Sequence, residues 1–207
     1  MKKARMTLLL IISLLSTASS ITSAKGLLGR SYTGLSYARI DFGDDAQAYL
    51  DNGQVTSVVY NMNTDHDTDI QIGVSYLWTS GNRLGQNVDI SSLAFSLDMV
   101  QVFADSNGIK PYFNIGLRAI DTDVDGPGLA DEDADVGLGI GLGVEFQLHP
   151  QLFATVAVDH TNVGDDASFF SATGGWWLTD HIVGLVGIAR DTESDIMYYQ
   201  GGLAFPF

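Results

Sequence analysis

Cysteine is absent from this chain of 207 residues, so no disulfide staples the fold and no thiolate is available as nucleophile, metal ligand or lipid-attachment point. Proline is scarce, with four residues. Basic residues are few: ten Lys and Arg stand against 25 Asp and Glu. That imbalance argues against nucleic acid or anionic lipid headgroups as partners of the chain as a whole. After the first 24 residues no run of 18 apolar residues occurs, which excludes a helix that crosses a membrane.

What is present begins with a leader. Lys2, Lys3 and Arg5 precede the apolar run Thr7–Leu15, and small or polar residues follow as far as Ala24. A basic region, a nine-residue apolar segment and small residues at the −3 and −1 positions predict a secretory signal peptide over residues 1–24, cleaved after Ala24. The mature domain would then span residues 25–207. Lys2, Lys3 and Arg5 leave with the leader and no acid does, so seven basic residues face 25 acidic ones, a net charge of −18.

The rest alternates. In Val136–Gln147, Val136, Leu138, Ile140, Leu142, Val144 and Phe146 take one phase, and Gly137, Gly139, Gly141, Gly143, Glu145 and Gln147 the other. Period two is the signature of a strand, and so many glycines would cost a helix about 1 kcal/mol each. The same alternation runs through Asp69–Trp78, Leu93–Met99, Pro111–Ile120 and Leu152–Val158. It is weaker in Arg30–Asp41, Val55–Asn63, Ala167–Leu178 and His181–Asp191. With Asp195–Phe207 this predicts ten strands, or eight if weak ones merge. Longer connections (42–54, 79–87, 121–135, 161–166) alternate with tight ones (64–68, 104–108, 149–150, 179–180), with the short 192–194 as an exception on the longer side. The expected fold is all-β: an antiparallel up-and-down transmembrane barrel with short periplasmic turns and long extracellular loops. Aromatic residues fall near both ends of the strands, as two interfacial belts require.

The final stretch sets Met197, Tyr199, Leu203, Phe205 and Phe207 on one face. With Gly29–Tyr37 as an aromatic and small-residue first strand, the leader and the alternating strands, it resembles the small outer-membrane barrels of the OmpA-like and OmpX-like kind. The resemblance implies residence in the cell outer membrane, contact with its lipid and lipopolysaccharide, and recognition of Phe207 by the barrel-assembly machinery. Pro206 departs from the pattern and predicts fraying of the last strand, because proline removes a ladder hydrogen bond.

Three chemistries suggest themselves. Asp121, Asp123, Asp125, Gly126 and Glu132 match positions 1, 3, 5, 6 and 12 of a calcium loop, with the ordinary alternative of a solvated acidic turn. Asp98, Arg118, Glu145 and Asp159 fall on the phase opposite to lipid, so they predict ion pairs inside a narrow lumen, or else a small selective pore. For an enzyme, His160 would need a serine two positions on, and Asn162 stands there; His66, His149 and His181 fall in or beside turns. No catalytic residue and no cofactor other than calcium is therefore expected. The expected function is that of a non-enzymatic, monomeric barrel with a structural, adhesive or interaction role.

Overall fold

A computed structural model describes residues 26–42, 50–64, 67–83, 86–126, 131–163, 166–192 and 196–207. The expected signal peptide lies outside the described residues. Ten strands follow one another: β1 Tyr32–Asp41, β2 Gly53–Asn63, β3 Thr68–Arg83, β4 Gln86–Val102, β5 Ile109–Asp125, β6 Asp131–His149, β7 Leu152–Thr161, β8 Ala167–Thr179, β9 Ile182–Asp191 and β10 Met197–Pro206. Each pairs antiparallel with its sequence neighbour, and β1 pairs with β10 to close the barrel. The count is ten, not eight. Closure removes every sheet edge within the ring, which is what hydrocarbon demands of backbone amides.

Tight turns at one end and longer connections at the other give the barrel a turn end and a loop end. At the turn end, Asn107 and Gly108 both have positive φ (56° and 80°) between Ser106 and Ile109, which exchange backbone hydrogen bonds. That is the Asn-Gly hairpin geometry whose twist suits the strands it joins.

Two connections are shorter than expected, and both lengthen hairpins. Residues 79–83 and 86–87 belong to β3 and β4, and residues 121–125 and 131–135 to β5 and β6. Asp121-Thr122-Asp123-Val124-Asp125 keeps period two, with Thr122 and Val124 buried and the aspartates exposed. Turn-forming composition masked that alternation, and pairing satisfies the backbone there as well as water would. The fraying expected at Pro206 is also overturned. Pro206 pairs with Tyr32, and the Phe207 amide donates to the Ser31 carbonyl at 3.1 Å. Ladder donors alternate between neighbours, so position 206 points toward β9, whose ladder with β10 already ends at Ala204. Proline removes no bond there.

The outer surface carries the apolar phase: Phe95, Leu117, Leu138, Leu142 and Val186 are all at least half exposed. The aromatic belts are thinner than the sequence suggested. Phe103, Trp176 and Phe207 face outward at the turn end, and Tyr37, Tyr76, Phe170 and Tyr199 at the loop end. Tyr32, Tyr112, Phe153, Phe169 and Tyr198 are instead buried inside the barrel.

Candidate functional site

The interior is layered. At the loop end, inward side chains including Ile40, Phe42, Leu77, Ile90, Ile120 and Phe169 pack into an apolar cluster. A polar belt lies below it. Ser75 donates to Ser57 across β2 and β3 at 2.8 Å, and Ser92 and Thr122 share a hydrogen bond of 2.7 Å across β4 and β5. At the turn end, apolar residues return: Tyr32, Val59, Phe153, Val183, Leu185 and Ala204 form one cluster, and Val100, Val102, Tyr112 and Ala157 belong to another.

Into that lower layer folds the segment that precedes β1. Leu27 and Leu28 are buried, one in each lower cluster. The chain turns on itself through Arg30 N–H to the Leu27 carbonyl, with Gly26 and Gly29 at φ of +73° and +77°. Gly29 N–H donates to Asp69 Oδ2 at 3.0 Å, Asn61 donates to the Arg30 carbonyl at 2.7 Å, and the Arg30 guanidinium lies 5.3 Å from the Trp177 ring centroid. This hook stops the turn-end mouth. One signal for it stands in the sequence, two leucines bracketed by glycines at Gly26–Gly29.

All four expected lumen charges point inward and are buried. Arg118 Nη1 contacts Asp98 Oδ1 at 2.5 Å, diagonally across β4 and β5, where Ser96 faces Arg118 and Asp98 faces Gly116. Asn114 donates to Asp159 Oδ1 at 3.2 Å, across the width of β6. Glu145, fully buried, lies further toward the turn end, beside Lys110 of β5 and Thr155 of β7 in the ladders. Geometry therefore pairs Asp98 with Arg118 and links Asp159 to Asn114.

The glycines of β6 make this possible. A Cβ at Gly139 would come within 3.1 Å of the Arg118 guanidinium carbon, one at Gly141 would run into Asn114 and Asp159, and one at Gly143 into the Tyr112 ring. Long side chains from β5 and β7 lie across the Gly139–Gly143 stretch of β6, which has none of its own on that face. The glycine phase, whose interior could have been crowded or wet, is crowded.

The calcium-loop residues have a different arrangement from the loop that suggested them. Asp121, Asp123 and Asp125 occupy alternate outward positions of β5, about 7 Å apart along the strand. Glu132 stands opposite Asp123 in the β5/β6 ladder. Asp89, unnoticed in the sequence, stands opposite Asp125 in β4. The result is an acidic outward face on extended hairpins. Also missed was a contact of His160, whose Nδ1 lies 3.0 Å from Ser168 Oγ across β7 and β8. Strand register, not sequence spacing, brings them together, and among the described residues no carboxylate bonds to His160 to orient it as a base.

A family model described as "Outer membrane protein beta-barrel domain" matches residues 7–185. The chain belongs to that family. This outer-membrane barrel has no match among proteins of curated function. Among solved structures it is similar to the translocator domain of the autotransporter NalP from Neisseria meningitidis, at 13% identity and a TM-score of 0.55, covering 93% of each chain. The NanC porin is similar at 9% identity and a TM-score of 0.50, covering 84% of this chain and all of that one. Ail, the attachment invasion locus protein of Yersinia pestis, is 11% identical with a TM-score of 0.44, covering 86% and 97%. At such identities the likeness is one of fold. The barrel resides in the outer membrane.

Proposed function

We propose that this outer-membrane barrel is a sealed, non-enzymatic, monomeric anchor that presents the long hairpins β3–β4 and β5–β6, the second strongly acidic, at the cell surface for interaction. One observation carries the reading: the interior is filled at three levels, by the apolar loop-end cluster, by the polar belt with the Asp98–Arg118 pair, and by the Leu27–Leu28 hook. A ten-stranded ring has little bore once side chains occupy it. Short turns at the end that holds Gly26 and Phe207 support a periplasmic position for that end, with the long hairpins outside. Phe207, exposed on the outer face at that end, suits recognition by the assembly machinery. The charge of the mature chain supports no role for nucleic acid.

Conductance of the folded protein in planar bilayers tests the reading. Steady baseline current is expected at all voltages that the bilayer survives. Reproducible open steps would replace the sealed anchor with a narrow pore for small solutes.

A further inference from the structure

The ring is closed, yet β6 outruns one of its neighbours. Its ladder with β5 continues to Asp131, opposite Val124, whereas its ladder with β7 begins only at Gly139, opposite Thr161. Asn162 ends that second ladder. Its N–H donates to the Leu138 carbonyl at 3.1 Å, and its Oδ1 accepts from the Leu138 N–H at 2.6 Å. Gly137 allows the close approach, since a Cβ there would stand 2.7 Å from that same oxygen. The chain beyond β7 then turns inward, and Val163 is buried in the loop-end cluster. Among the described residues no strand flanks residues 131–137 of β6 on the side away from β5.

Backbone groups of successive residues point to opposite sides of a strand. Leu138 turns its N–H and C=O away from β5, toward Asn162, so Val136, Ala134 and Glu132 do the same. At about 3.4 Å per residue, residues 131–137 make an open edge roughly 20 Å long. It lies beyond the hydrocarbon, because the ten residues of β7, paired within Gly139–His149, suffice to cross a bilayer. An edge of this kind is a template for another strand.

The side chains along the edge say which strand fits. Ala134 and Val136 are exposed on the outer face, Val136 at 76%. Asp133 and Asp135 take the inner phase, opposite the buried Thr122 and Ile120 of β5. Seven acidic residues fall between positions 121 and 135, and the 162–166 connection adds Asp165 and Asp166. No Lys or Arg stands between Arg118 and Arg190. Two such edges repel each other, which disfavours a second copy as the occupant. A strand with basic residues beside Asp133 and Asp135, and small or apolar ones beside Ala134 and Val136, meets opposite charge on one face and apolar surface on the other.

We propose that residues 131–137 of β6 accept an extended, basic polypeptide segment of an extracellular partner as an added strand. Main-chain hydrogen bonds to Ala134 and Val136 supply the affinity, and alternation of basic with apolar side chains selects the partner. The edge gives the proposed surface hairpin its partner chemistry. It depends on that reading only for the side of the membrane from which the partner comes; binding to the folded protein in micelles does not depend on orientation.

Fluorescence anisotropy of labelled peptides, titrated with the protein folded in dodecyl maltoside, tests the edge. A peptide alternating lysine with valine is expected to bind, and the same peptide with glutamate for lysine is not. N-methylation throughout the lysine peptide keeps every charge and removes its main-chain donors, and should weaken binding about tenfold or more. Ala134→Pro takes a donor from the open edge but no ladder bond from β5, and should weaken binding by a similar factor. Asp133→Asn with Asp135→Asn should also weaken the lysine peptide, and Lys110→Gln at the turn end should change nothing. Should Ala134→Pro fail to fold, the N-methylated peptide decides. Absence of binding by the lysine peptide overturns the proposal. Equal affinity for the N-methylated peptide, or an unaltered Kd in folded Ala134→Pro, overturns it too, by reducing the edge to diffuse attraction toward an acidic hairpin. A peptide-free dimer that Ala134→Pro dissolves overturns it in favour of a second copy. Each of these failures leaves the sealed anchor standing, because conductance alone decides that reading.

Discussion

Arg118 is the side chain on which the interior charge balance turns. It is one of the largest fully buried groups of the barrel and contacts Asp98, itself buried. Removing one partner of a buried pair strands the other, which typically costs about 3–5 kcal/mol, whereas replacing both with apolar groups of similar volume is often near neutral. Arg118→Ala is therefore expected to lower the urea midpoint of the micelle-folded protein strongly. Arg118→Met combined with Asp98→Leu should recover most of that loss. A double variant no better than Arg118→Ala would mean that Arg118 matters through the rest of the polar belt instead. The inward phase of Asp98, Arg118, Glu145 and Asp159 was readable from alternation, because lipid tolerates none of them on the other face. The pairing was not. It depends on register, which sets Asp98 against Gly116 and Ser96 against Arg118, and period two leaves register open.

At the level of the element, the hairpins decide what the surface presents. β5 and β6 stay paired as far as Val124 and Asp131, so the acidic residues project on a stiff ladder instead of a loose loop. An epitope tag inserted after Gly128, in the 126–130 connection, should label intact cells. Labelling only after permeabilisation would invert the proposed orientation. An extended ladder spaces carboxylates along a line and does not wrap them about a point, so calcium and magnesium at equal ionic strength should raise the melting temperature alike, by screening repulsion. A calcium-selective rise that disappears in Asp123→Asn with Glu132→Gln would establish a true calcium site. Strand content was legible wherever the alternation was apolar against small, as in Val136–Gln147. It was illegible where aspartate alternated with threonine and valine, because those compositions also make turns.

For the molecule as a whole, the proposed seal would be redundant. The hook closes one end and the loop-end cluster the other. Leu27→Ala with Leu28→Ala removes two buried side chains from the mouth and is expected to cost about 2–5 kcal/mol each, discounted for their place at the rim. The variant should melt earlier yet remain electrically silent, since the upper cluster still fills the bore. Channel steps from it would show that the hook alone holds the barrel shut. The hook was hidden from sequence reading because no periodicity announces six residues held by Asp69, Asn61 and Trp177 from three other strands.

The ladder between β1 and β10 differs from the other nine in one respect. Each of those joins strands that are consecutive in the chain, whereas this one brings Tyr32 to Pro206. Bringing distant segments together costs loop entropy that a hairpin never meets, and non-local pairing is slow for that reason. The ring therefore has an order of events built into it: hairpins form first and the seam last, with the Arg30–Trp177 contact of the hook and the Phe207–Ser31 bond able to set only once the seam is shut. A chain without cysteine makes this easy to time. Leu35 and Leu203 face each other across the seam, and Val58 and Val74 across the β2/β3 hairpin. With Cys at both positions of a pair, disulfide trapping during refolding should capture Val58→Cys/Val74→Cys well before Leu35→Cys/Leu203→Cys. Equal trapping times would mean that the ends meet as early as the neighbours, and the barrel would then close as a single cooperative event.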